Sequence, residues 1–185
     1  MVQLSPRLLE LRPELIALRR DLHQNPELAY AETRTAAKVA AFLEGSPLDV
    51  RTGLARGTGL MASTRGEGRT VLLRVDMDGL PIQEQNEVPY ASRVPGAMHA
   101  CGHDGHVAMG AVAARVLAQE ALPGRARVIF QPAEEGDGGA RNMVADGVLD
   151  DVSLVVGIHL WNEMPVGTLG VKSARSWRPR MRCAS

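Results

Sequence analysis

Aromatic side chains are scarce in this chain of 185 residues, which has two each of Trp, Tyr and Phe. So few cannot build a base-stacking surface, and no basic stripe runs between them. Charge of one sign is lacking too: Lys plus Arg and Asp plus Glu both total 21, for a formal net charge of zero. A polyanion would find no field to follow. No run approaches the ~18 apolar residues of a membrane span. The opening segment Met1–Arg7 has no uninterrupted apolar stretch of the kind a signal peptide carries. Cysteine is limited to Cys101 and Cys183, too few for a disulfide framework. Together these absences lead us to expect a cytoplasmic protein whose partner is a small molecule, with neither nucleic acid nor membrane involved.

What is present begins with a hydrophobic fraction of 45%, enough for the core of one ordinary domain. Leu8, Leu11, Leu15, Leu18 and Leu22 recur at three- and four-residue spacing and predict a helix over 7–22, ended by Asn25-Pro26. A second helix is expected from Glu32 to Leu43, with Gly45 just past its end. Short strands are expected at 48–52 and 58–64, and the apolar run Thr70–Asp76 reads as a buried strand. Residues 81–98 have no period and several prolines, so they read as a loop. Helical spacing returns over 104–119, followed by a strand at 126–131 and a short helix at 139–146. Strands are then expected at 152–159 and 166–172. This alternation predicts an α/β fold, a layered sheet with helices on both faces.

The chemistry concentrates in two segments, His99-Ala100-Cys101-Gly102-His103-Asp104-Gly105-His106 and Gln131-Pro132-Ala133-Glu134-Glu135-Gly136. They supply a thiol, imidazoles and adjacent carboxylates, the donor types a transition metal needs. Cys101 and His103 alone would fit a buried cysteine beside a solvated histidine, but the cluster is too polar for a dry core. Glu134-Glu135 alone would fit a solvated acidic turn, yet it follows a strand and Pro132 and precedes several glycines. Adjacent side chains diverge, so one carboxylate can bind metal while the other takes a proton from the attacking water. Asp76 and Asp78 share one side of an extended segment, either as turn formers or as groups that orient a ligand. His159 ends an apolar strand, as a core histidine or a metal donor. His106 reads as a substrate contact or a helix-surface residue, and His23 and His99 as structural. Asp76–Asp78, Glu134–Glu135 and His159 all fall at expected strand C-termini, the edge where open α/β sheets bind ligands.

The segments Leu22–Leu28, Leu73–Pro81, His99–His106, Phe130–Gly136 and Gly157–Asn162, in this order, resemble the amidohydrolase branch of the aminoacylase/carboxypeptidase metallopeptidases. That branch includes hippurate hydrolases and other N-acyl-amino-acid hydrolases. The resemblance spans roughly residues 7–173. It implies a zinc-peptidase-like catalytic domain holding two divalent ions, zinc or manganese, and hydrolysis of the amide bond of an N-acyl amino acid. By motif position Cys101, His103, Glu135 and His159 would be metal ligands, Glu134 the general base and Asp78 the supporting acidic residue. The resemblance also implies a homo-oligomer for full-length members.

Members of that family continue past the segment matching Lys172-Ser173 into a lid domain and a final metal-binding histidine. Here we expect residues 1–173 to be the N-terminal part of the catalytic domain, truncated before the lid. Segment 174–185 has no helix or strand period. One permissible back-translation of it, read after skipping two bases, gives Pro-Leu-Met-Ala-Ser-Ala-Asp-Ala-Leu-Arg-Ile, similar to the family's continuation. The expectation is a single-nucleotide deletion after Ser173, with low activity or poor solubility of the product. The alternative is a non-catalytic metal-binding remnant of such an enzyme. A thiol redox protein built on Cys101 is a weaker reading, for no resolving cysteine lies nearby.

Overall fold

The structure, a computed structural model, describes residues 4–136 and 138–171. Helices α1 (Pro6–Glu10), α2 (Arg12–Gln24) and α3 (Thr33–Leu43) precede strands β1 (Leu48–Leu54), β2 (Gly59–Thr64) and β3 (Thr70–Asp76). Helix α4 (His103–Leu117), β4 (Arg125–Gln131), α5 (Gly139–Ala145) and β5 (Val152–Gly157) follow. The expected loop 81–98 holds no named element; an isolated bridge joins its last residue, Met98, to Leu80 just before it.

Two sequence expectations need correction. The leucine-spaced helix over 7–22 is two helices, parted at Leu11. Pro13 has no N–H to give the carbonyl four residues back, and it is accommodated in the first turn of a new helix instead. The strand expected over 166–172 does not form across its described part, 166–171. Val166, Leu169 and Val171 lie exposed there, with no strand paired to them among the described residues to complete their backbone hydrogen bonds. Lys172, Cys183 and the whole segment 174–185 lie outside the described residues.

The strands form one mixed sheet in the order β1-β2-β4-β3-β5. β1, β2 and β4 pair antiparallel in turn, whereas β3 runs parallel to both β4 and β5. On one face Leu60, Val75, Val128 and Phe130 pack against Leu18, Leu22, Val39, Leu43 and Val107 from α2, α3 and α4. On the other, Met61, Leu72 and Ile129 meet Met143 of α5 and Val148. Helices therefore cover both faces of a mixed α/β sheet. Helix α4 is buried along most of its length because small residues let it lie close to the strands. A Cβ on Gly110 would come within 3.0 Å of the Val75 methyls.

This topology builds the site. Since β3, β4 and β5 are parallel, their C-terminal ends open on one edge, with Asp76 beside Gln131 and Arg74 beside Gly157. The β3–α4–β4 crossover starts its helix at that same edge. The chain segments after three strands and before one helix must therefore converge there.

Candidate metal centre

Gly102 stands at the start of α4 with φ of 84°, a left-handed conformation that few side-chain-bearing residues tolerate. It turns the chain so that half-buried Cys101 and fully buried His103 reach the same space. The Cys101 sulfur lies 3.4 Å from His159 Nε2. Donor atoms of Cys101, His103 and His159 all fall within 4.8 Å of one another, as do those of His103, Glu134 and Glu135. His103 belongs to both groups, so Cys101, His159, Glu134 and Glu135 gather around its imidazole, with Asp78 directly behind it.

The tautomers follow from the partners. His103 Nδ1 lies 2.9 Å from the main-chain oxygen of Asp78 and donates to it. That leaves Nε2, buried and without a hydrogen-bond partner, as the position open to a proton or a cation. His159 Nδ1 donates to the Leu160 carbonyl at 2.5 Å, which leaves Nε2 beside the thiol. Carbonyl-anchored imidazoles with the other nitrogen free are the arrangement a metal site requires. A buried nitrogen without a partner, facing sulfur and carboxylates, fits a divalent cation well.

Charge supports the same reading. Burial alone would depress the basicity of His103, but Asp78, Cys101 and Asp76 outweigh it and push the group up to about 11. So negative a surrounding holds a proton tightly, and a cation at Nε2 would take that proton's place. Asp76 and Asp78 are fully buried, and burial alone would raise both. His106, His103 and Arg74 outweigh it for Asp76. For Asp78, His103 and the amides of Glu135 and Glu134 do so. Both carboxyls thus stay below their ordinary value and remain ionised.

Asp78 Oδ2 accepts the Glu135 N–H at 2.9 Å, so it braces His103 and the glutamate pair together. Glu135 Oε1 lies 3.9 Å from His103 Nε2. Glu134 lies 3.6 Å from Arg74, whose guanidinium also contacts Asp76 at 2.5 Å and donates to Gln131 at 2.8 Å. Arg74 was visible in the sequence only as a cation interrupting an apolar strand.

His106 is neither a substrate contact nor a helix-surface residue. It is fully buried, donating from Nδ1 to Asp76 at 2.6 Å and accepting the Leu160 N–H on Nε2 at 2.8 Å. With both nitrogens engaged it has none for a metal, and it anchors the residue that follows His159. His23 and His99 are buried, and neither belongs to a donor group. His23 bridges Asp104 at 2.9 Å and Glu84 at 3.2 Å. Burial pushes His99 down to about 4, so it stays uncharged.

Residues 72–174 match the model of peptidase family M20/M25/M40, more than half of the chain. The chain belongs to this family. Among its M20-family relatives is the N-acetylcysteine deacetylase of Bacillus subtilis, 45% identical over 162 residues, which cover 85% of this chain and 43% of the relative. Another is the N-acyl-L-amino acid amidohydrolase of Geobacillus stearothermophilus, 43% identical over 167 residues, covering 88% and 45%. The crystal structure of Bacillus subtilis YXEP, described as a dinuclear metal-binding peptidase of the M20 family, superposes with a TM-score of 0.83 at 44% identity. That match covers 88% of this chain and 47% of the other. The chain therefore spans less than half the length of these relatives. No helix among the described residues is long and apolar enough to cross a membrane.

Proposed function

We propose that residues 1–173 are the N-terminal part of the catalytic domain of a metal-dependent amidohydrolase, cleaving small N-acyl amino acids. The observation that carries this reading is the partnerless Nε2 of buried His103, facing a thiol and two adjacent carboxylates. Cys101, His103, Glu135 and His159 would hold two divalent ions, which when bound supply an acidified water and a polarised amide carbonyl. A thiolate donor favours zinc over manganese, and a free thiol kept for this purpose fits the reducing cytoplasm.

Glu134 acts as general base, taking the proton from the attacking water and delivering it to the leaving amine nitrogen. The amide C–N bond breaks, and a carboxylic acid and a free amino acid depart. Asp78 keeps His103 in the tautomer that presents Nε2 and holds the Glu135 amide. Arg74, beside Asp76 and Glu134, limits how far the base can swing.

The test is calorimetric titration of the purified chain with zinc and with manganese, paired with an assay for glycine released from hippurate. Metal binding that Cys101→Ser weakens about 10-fold or more, together with turnover, supports the proposal. Metal binding without turnover selects the remnant reading. No binding below millimolar metal would overturn both.

A further inference from the structure

Glu32 is a carboxylate in an odd place. It sits immediately before α3, where a side chain would ordinarily cap the helix, yet it caps nothing. It is fully buried, and burial raises its pKa against the pull of its own hydrogen bonds. Such a group is destabilising unless its oxygens are well used. Oε2 accepts the Thr58 hydroxyl at 3.0 Å, and Oε1 accepts the backbone N–H of Ala133 at 2.8 Å.

Ala133 is the residue before Glu134-Glu135. Its φ is 50°, left-handed for a residue with a Cβ, and it is completely buried. Its carbonyl accepts the Gly139 N–H at 3.1 Å, so it is gripped at its amide by Glu32 and at its carbonyl by α5. A backbone conformation of this kind is disfavoured and persists only where the surroundings over-determine it. Release of the Glu32 grip would orphan a buried N–H and let Ala133 relax to negative φ. The two carboxylates beyond it would then be re-aimed.

We propose that Glu32 is a positioning residue which, through the Ala133 amide, sets the direction of Glu134 and Glu135 at the metal centre. The proposal rests on the reading of Glu135 as a ligand. It gives a role to a residue some hundred positions away from the glutamate pair, one that touches neither metal donors nor substrate.

The test is cobalt(II) titration of the 185-residue chain, followed by thiolate charge-transfer and d–d absorbance. Glu32→Leu should weaken binding about 10-fold, the usual effect of losing a group behind a ligand. Glu32→Gln should stay within about 3-fold of wild type, because its amide oxygen still accepts the Ala133 N–H. In a Glu135→Ala background, Glu32→Leu should add less than about 2-fold, since the ligand it steers is gone. An undiminished effect in that background would make Glu32 a general stabiliser and overturn the proposal. If Glu135→Ala alone leaves cobalt affinity unchanged, the ligand reading itself fails, and the proposal goes with it. Should Glu32→Leu not fold, the isosteric Thr58→Val unhooks only Oε2. Its expected loss of about 3-fold should likewise vanish beside Glu135→Ala.

Discussion

His23 illustrates how a single buried titratable residue carries a pH dependence. The carboxylate of Asp104 is the main reason its pKa is raised; burial opposes this, and Glu84 reinforces it. Arg19 reaches the same Asp104 oxygen at 2.7 Å, and Tyr90 and His99 pack against the ring. A folded pKa above the unfolded value means the stabilisation is complete below about pH 6.5 and is lost as pH rises through the folded pKa. His23→Gln should therefore lower stability by about 1–3 kcal/mol at pH 6 and by less at pH 9. Urea unfolding of both proteins across that range measures it, and a gap that stays constant with pH would rule out the charged pair.

At the scale of elements, the loop after β4 is held by close contact as much as by hydrogen bonds. Gly139 opens α5 directly under the loop, and a Cβ built there would fall 1.7 Å from the Pro132 carbonyl oxygen. Neither partner is a flexible side-chain end, so the backbone of the loop or of α5 must move. Gly139→Ala is expected to destabilise by about 1–3 kcal/mol or more and to weaken zinc binding along with it. Thermal melts with and without zinc check both effects. An unchanged melting temperature would show that α5 does not seat the loop. Gly102 and Gly105 play a related part at the start of α4, where Leu160 crosses close above them.

At the scale of the molecule, β5 is the exposed feature. Among the described residues it is an edge strand, and there Leu154, Val155 and Val156 are 56%, 52% and 42% exposed, on both of its faces. An uncovered apolar edge is a template for pairing with another chain. Sedimentation velocity over micromolar concentrations should show mass-dependent association of the 185-residue chain. Val155→Lys, a charge on that edge, should shift it towards monomer. A wild-type chain that stays monomeric throughout would show that the edge is protected.

The sequence by itself determined most of the order of strands and helices and singled out the side chains proposed as metal donors. Hydrophobic period, punctuating glycines and strand ends are local properties, which is why β3, β4, α4 and α5 were legible within a residue or two. The break at Leu11 was legible in principle from Pro13, but five leucines at helical spacing masked it. The segment 166–171 shows the limit of period alone, since a strand needs a partner as well as a pattern. What the tertiary structure alone decided is which groups stand behind the donors. Glu32, Arg74 and His106 reach Ala133, Glu134 and Leu160 across long stretches of chain. No spacing rule connects residues whose only relation is that a parallel sheet brings its strand ends to one edge.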